Sequence, residues 1–139
     1  QSLAVILSGA LLGSRKGALS QILLVALGCA GLSVFSQPGS AYAALLGPTG
    51  GYIFGFVLAS FITGAILERR SRLGFFGLTG FLFIASLFIF VPGVLWLKNF
   101  TGQSLGQAIA MGFIPFLLGD IFKTILAAGF LTGLKKVKL

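Results

Sequence analysis

Long apolar stretches separated by short polar breaks run through the whole sequence. The apolar stretches cover residues 2–13, 18–35, 49–67, 73–96 and 115–134. A spanning helix needs about 20 mostly apolar residues, so we interpret the short first stretch as the end of a longer helix. The pattern predicts an all-α integral membrane protein in which residues 1–139 form a single helical bundle.

The last apolar region is divided in two by a proline. Pro115 cannot continue a helix without a break or kink. The letters "SLGQ" upstream of it resemble a capping box, with Ser104 as the N-cap and Gln107 at the third helical position. We therefore predict a short helix over 104–113 and a spanning helix over 115–134.

Cationic residues cluster at the ends of three predicted spans. The clusters are Arg15 and Lys16; Arg69, Arg70 and Arg72; and Lys135, Lys136 and Lys138. If each apolar stretch crosses once, these clusters share one side, which the positive-inside rule makes cytoplasmic. Lys98 falls on the outer side, and so does Gln1. We therefore expect one further helix upstream, giving six spans in a plasma membrane of bacterial type.

Composition agrees with a membrane location and excludes several functions. Hydrophobic residues make up 57% of the chain and charged residues only 9%, against roughly 25% charged in a soluble domain. The net charge of +8 lies in short clusters and forms no basic face for nucleic acid. Because histidine is absent and cysteine occurs once, we expect no metal site, no catalytic triad, no cofactor and no enzymatic activity.

Glycines recur at four-residue spacing in three sets. The sets are Gly9, Gly13 and Gly17; Gly47, Gly51 and Gly55; and Gly129 and Gly133. Such spacing is typical of close helix packing in membranes. The middle set overlaps "GPTGGY", where glycines at a helix start also permit a ligand to approach the backbone, and both interpretations stay open there.

The chain has only two acids, and each has a basic residue one turn away. Glu68 and Arg72 have i,i+4 spacing near the inner surface, so we interpret them as a structural pair. Asp120 and Lys123 lie inside a span, where an ionisable residue costs roughly 2.5–3.5 kcal/mol. A mutual ion pair that locks the bundle is one interpretation. We favour a polar face lining an outward cavity, because desolvation offsets the gain from a buried pair.

Two motifs carry a resemblance to a known family. "LLGPTGGYIFGF" (45–56) and "PFLLGDIFKTILA" (115–127) resemble the BioY family of biotin transporters, which are substrate-binding S-components of energy-coupling factor transporters. The opening "QSLAVILSGALLGSRKGALS" is similar to the second helix and following loop of that family. The resemblance implies the six-helix S-component fold, with the first helix missing from this chain.

The resemblance also implies a ligand, a site and partners. The ligand is biotin, with Asp120 at a ureido N–H and Lys123 at either the ureido oxygen or the carboxylate. Tyr52, Thr49 and Gly50 match the glycine-rich motif and would form the lid or upper wall. The implied partners are a transmembrane coupling subunit and two cytoplasmic ATPases. Two alternatives remain: capture of another vitamin-like solute, and a purely structural membrane subunit.

Overall fold

A computed structural model describes residues 1–32, 41–70 and 73–137, and all regular structure in these ranges is α-helical. In chain order the helices are α1 (Ser2–Leu12), α2 (Ser14–Cys29), α3 (Ala41–Leu46), α4 (Gly50–Arg69), α5 (Phe75–Thr101), α6 (Leu105–Gly112) and α7 (Ile114–Val137). The prediction of an all-α bundle is confirmed.

Three of these helices are long and apolar enough to cross a membrane. They are α4, α5 and the part of α7 from Ile114 to Leu134. Helices α1 and α2 have 11 and 16 residues, which is less than a spanning helix requires. Helix α2 begins four residues before the predicted start at residue 18, and the end of that predicted stretch, 33–35, lies outside the described residues.

The outside of the bundle is apolar. Phe76 is 89% exposed, Leu118 80% and Phe122 62%. A soluble monomer rarely exposes large contiguous apolar surface, whereas lipid tails solvate such side chains well. The chain is therefore a multi-pass membrane protein, as the hydropathy pattern predicts.

Two apolar clusters hold the helices together. One joins α1, α5 and α7 and contains Ile6, Leu78, Leu82, Ala127, Ala128 and Leu131. The other joins α1, α4 and α5 and contains Val5, Ile53, Phe56, Ala59 and Ile89. The second cluster contributes Ile53, Phe56 and Ile89 to the wall of the cavity described below.

Helices α1, α2 and α4 approach closely through glycine. A Cβ on Gly9 would overlap the backbone oxygen of Ser60 in α4, and a Cβ on Gly17 would lie 2.8 Å from the Cα of Gly9. Ser8 of α1 and Ser60 of α4 also join these two helices through hydroxyl groups 3.0 Å apart. Close packing is therefore the role of Gly9 and Gly17.

The other glycines of the first and third sets behave differently. Gly13 ends α1 with φ +84, so it forms the α1–α2 turn and lies outside both helices. This left-handed conformation is open to glycine at little cost. A Cβ on Gly129 or Gly133 would meet no neighbouring atom within 4 Å, so neither residue makes the predicted close helix contact with the described residues.

Glu68 binds a partner far away in sequence. Its Oε1 accepts from the backbone N–H of Ser14 at 2.7 Å, and its Oε2 lies 3.0 Å from the Ser14 hydroxyl. The carboxylate thereby caps the start of α2 and ties the α1–α2 turn to the end of α4. The predicted partner Arg72 lies outside the described residues.

The capping box of α6 and the break before α7 lie where the sequence predicts them. Ser104 Oγ accepts from Gln107 N at 3.4 Å, and Gln107 Oε1 accepts from Ser104 N at 3.1 Å, which confirms the capping box. Helix α6 ends at Gly112, and α7 begins at Ile114. Pro115 lies in the first turn of α7, where its missing N–H leaves no helical hydrogen bond unmade.

Candidate functional site

A cavity of about 450 Å³ lies at the end of the bundle formed by the starts of α1, α4 and α7. Four of the five residues predicted to bind a ligand line it: Thr49, Tyr52, Asp120 and Lys123. Gly50 is buried beside the cavity and is not part of its lining. The cavity therefore brings together two motifs that are about 70 residues apart in sequence.

Asp120 is the most deeply buried polar group of the cavity. Its side chain is 1% exposed, and its Oδ2 accepts a hydrogen bond from the hydroxyl of Ser86 in α5. The same hydroxyl lies 2.7 Å from the carbonyl oxygen of Phe83, one turn earlier. The other carboxylate oxygen, Oδ1, is buried without a hydrogen-bond partner among the described residues. Asp120 thus keeps one acceptor available.

Lys123 is held by a different helix. Its Nζ donates to the hydroxyl of Ser2, in the first turn of α1, at 3.2 Å. Within the described part of the chain, Lys123 and Asp120 form no salt bridge with one another. An ammonium group has three donors, so donors remain after the contact with Ser2. These contacts argue against the interpretation of Asp120 and Lys123 as a mutual ion pair that locks the bundle.

Tyr52 connects three helices at the cavity wall. Its hydroxyl donates to the carbonyl oxygen of Gly112, the last residue of α6, at 2.7 Å. Its ring packs edge-to-face on Phe90 of α5, with centroids 6.3 Å apart. A Cβ on Gly93 would lie 2.5 Å from a carbon of the Tyr52 ring, so glycine makes room for the ring there. Tyr52 therefore links α4 to both α5 and α6 at the cavity wall.

The segment 43–49, which we call the cover segment, lies over the cavity. Thr49 Oγ1 donates to the carbonyl oxygen of Ala44 at 2.9 Å, which closes the turn between α3 and α4. Trp96 Nε1 donates to the carbonyl oxygen of Gly47 at 2.9 Å, which attaches the turn to α5. Ala44, Pro48 and Thr49 contribute to the cavity lining.

The glycines after the cover segment pack against neighbouring backbone. A Cβ on Gly50 would overlap the carbonyl oxygen of Leu45, and a Cβ on Gly51 would overlap that of Pro92. A Cβ on Gly55 would lie 2.6 Å from the carbonyl oxygen of Ile89. Of the two interpretations open for the middle glycine set, close packing is therefore observed at Gly51 and Gly55.

The rest of the cavity wall is apolar. It includes Ile53, Phe56, Ile89, Phe90, Leu97, Met111 and Phe116. An apolar cavity of this size with a few converging polar groups is typical of a small-molecule site. No cluster of three or more His, Cys, Asp or Glu side chains occurs within 1–32, 41–70 and 73–137.

Sequence reasoning missed the two serines that contact Asp120 and Lys123. Ser86 contacts Asp120 from 34 positions away, and Ser2 contacts Lys123 from 121 positions away. Ser86 does carry a signal, because it is the only hydroxyl side chain between Thr79 and Thr101 in a long apolar span. Ser2 carries none, since a serine at the start of a helix is common.

Comparison with known proteins identifies relatives across the whole chain. The BioY family model matches residues 1–138. The biotin transporter BioY of Thermotoga maritima is 35% identical over 135 residues, covering 97% of this chain and 78% of the relative. A probable biotin transporter BioY of Pyrococcus horikoshii is 39% identical over 119 residues, covering 86% and 68%. The crystal structure of the S-component for biotin from an ECF-type ABC transporter superposes with a TM-score of 0.88 at 26% identity, covering 97% of this chain and 73% of that one.

Proposed function

Because the chain belongs to the BioY family, we propose that it binds biotin in the cavity below the cover segment and transports it across the membrane as the S-component of an ECF-type transporter. The observation that carries this proposal is Oδ1 of Asp120, which is buried without a hydrogen-bond partner among the described residues in a largely apolar cavity. A buried acceptor without a partner costs about 1–3 kcal/mol. A ligand N–H that reaches it removes that cost.

Biotin has groups that suit each part of the cavity. Its ureido ring offers N–H donors, which suit the free oxygen of Asp120. Its sulfur-containing ring and alkyl chain are apolar, which suits the wall formed by residues such as Phe56, Ile89 and Phe116. The polar groups then fix the orientation of the ligand, and the apolar wall supplies most of the buried area.

Lys123 has two possible contacts with biotin. Its remaining ammonium donors suit either the ureido oxygen or the carboxylate. The short spacing to Asp120 on one helix face favours the ureido oxygen, while the positive charge favours the carboxylate. A carboxylate contact predicts weaker binding of the neutral biotin amide, so that analogue distinguishes the two.

The predicted site residues near the cover segment have a different role from that of Asp120 and Lys123. Tyr52 and Thr49 form wall and cover, and Gly50 supports the cover by allowing the backbone of Leu45 to lie against it. Entry of biotin then requires the cover segment to move away from α5, and its return excludes water from the bound ligand.

Transport requires partners that supply energy. The chain has no Gly-rich loop with the Lys-Ser/Thr ending that binds nucleotide phosphates. We propose that a transmembrane coupling subunit and two cytoplasmic ATPases act with it, as in an energy-coupling factor transporter. In this mechanism biotin is captured from outside, the S-component reorients in the membrane, and biotin is released inside.

Titration of biotin into the purified protein in detergent tests the proposal. Trp96 is the only tryptophan and bonds to the cover segment, so its fluorescence should follow binding, with calorimetry as a second readout. Asp120→Asn and Lys123→Met each remove a charge-assisted contact of about 1.5–3 kcal/mol. Each should raise the Kd by roughly tenfold to a hundredfold.

Matched controls come from the same chain. Glu68→Gln changes the other acid and Lys98→Met changes a lysine outside the cavity lining, so both should keep the Kd of the unchanged protein. If biotin gives no response while circular dichroism shows intact helices, the biotin proposal is wrong. Binding of a different vitamin that is lost in the same two variants supports the alternative ligand. If no vitamin binds and both variants unfold, the pair is structural.

A further inference from the structure

A second cavity lies at the opposite end of the bundle from the proposed biotin site. It occupies about 560 Å³ at the α1–α2 turn and the last turns of α4. The biotin cavity uses the first turns of α1 and α4, with Ser2 and Tyr52, so the two cavities lie at opposite ends of the same helices. The second cavity belongs to the side that the cationic clusters predict to be cytoplasmic.

Three cations line this cavity. Arg15, Lys16 and Arg69 are all exposed members of its wall. The single acid there, Glu68, has both carboxylate oxygens engaged by Ser14. Three cationic side chains against one carboxylate leave the lining with a net charge of +2, so the cavity is suited to an anion.

The same cavity has an apolar side. Leu12 and Phe61 are 50% and 46% exposed and line the cavity together with Ala65. A free inorganic anion makes no use of exposed leucine and phenylalanine. A phospholipid uses both sides, because its phosphate meets the cations while its acyl chains continue along the apolar helix surface.

From the charge and the apolar wall together, we propose that this cavity binds the headgroup of an anionic phospholipid of the cytoplasmic leaflet. Basic pockets between membrane helices on the cytoplasmic side are known sites for anionic headgroups. The lipid joins the α1–α2 turn to the end of α4, where Glu68 already links the same two elements. The site is separate from biotin binding and does not depend on the proposed transport function.

The test is a titration of the purified protein in neutral detergent with short-chain phosphatidylglycerol, followed by native mass spectrometry. A cation near a membrane surface contributes about a fivefold factor in affinity for anionic lipid. Arg15→Gln and Arg69→Gln should therefore each lower phosphatidylglycerol affinity about fivefold. Phe61→Ala should lower the affinity for the lipid and leave binding of inorganic phosphate unchanged.

Arg70→Gln is the matched control, because Arg70 is exposed, adjacent to Arg69 and outside the cavity lining. It should keep the affinity of the unchanged protein, and all variants should keep their biotin affinity. The proposal is overturned if phosphatidylcholine binds as tightly as phosphatidylglycerol, or if inorganic phosphate displaces the lipid at equal concentration. It is also overturned if Arg70→Gln loses as much affinity as Arg69→Gln.

Discussion

Ser86→Ala tests whether the Asp120 carboxylate must be held in place before it can bind a ligand. The hydroxyl of Ser86 is the contact that Asp120 Oδ2 makes with α5, and both side chains are at most 1% exposed. Without that hydroxyl, Oδ2 loses its donor in the same buried site where Oδ1 has no partner within the described part of the chain. The carboxylate then has no fixed direction, so Oδ1 points at the ligand for only part of the time.

The expected loss of stability follows from measured hydrogen bonds between membrane helices, which contribute about 0.6 kcal/mol on average and at most about 1.7 kcal/mol. Ser86→Ala should lower the free energy of unfolding by an amount in that range. In the variant the ligand must also fix the freed carboxylate, and ordering a flexible side chain on binding costs about 0.5–1.5 kcal/mol. The Kd for biotin should then rise by roughly twofold to thirteenfold.

Ser60→Ala is the matched control for Ser86→Ala. Ser60 is equally buried and also contacts a neighbouring helix through its hydroxyl, 3.0 Å from that of Ser8, but Ser8 does not line the cavity, whereas Asp120, the partner of Ser86, does. Calorimetric titration with biotin gives the Kd, and unfolding in mixed micelles followed by circular dichroism gives the stability. Both variants should lose similar stability, and only Ser86→Ala should bind biotin more weakly. Equal Kd values for the two variants would refute a positioning role for Ser86.

Two further substitutions test the packing and the wall of the site. Gly9→Ala places a methyl group against the backbone oxygen of Ser60 and should cost about 1–3 kcal/mol of unfolding free energy. Gly129→Ala meets no neighbouring atom and should cost nothing, so equal losses in micelle unfolding would contradict the packing assignment. Tyr52→Phe removes the hydrogen bond to Gly112 and should raise the Kd for biotin about threefold. An unchanged Kd in the same titration would show that this bond does not shape the cavity.

The features that sequence reasoning predicted well are those that depend on near neighbours. The capping box at Ser104 needs only Gln107, three residues later, and the break before α7 needs only Pro115. The placement of Asp120 and Lys123 on one helix face likewise follows from their spacing. In each case the residues that determine the feature lie within one helical turn, so the local sequence is sufficient to predict it.

The features that it missed depend on contacts between distant segments. Glu68 has a basic residue at helical spacing, yet its observed partner Ser14 is 54 positions away. Gly13 has the spacing of a packing glycine, yet it forms a turn because α1 ends there. No local pattern specifies which helix lies beside which, so long-range contacts such as that between Ser86 and Asp120 become visible only in the folded chain.

Two of those long-range contacts orient the side chains that we propose to bind the ligand. Lys123 is held from α1 by Ser2, and Asp120 is held from α5 by Ser86, although both belong to α7. Each of these two side chains is therefore oriented by a separate helix. Ordering a flexible side chain on binding costs about 0.5–1.5 kcal/mol. Because folding already orders these two side chains, binding loses less of this energy. The binding energy of the ligand is then available for affinity, as the proposed capture of biotin requires.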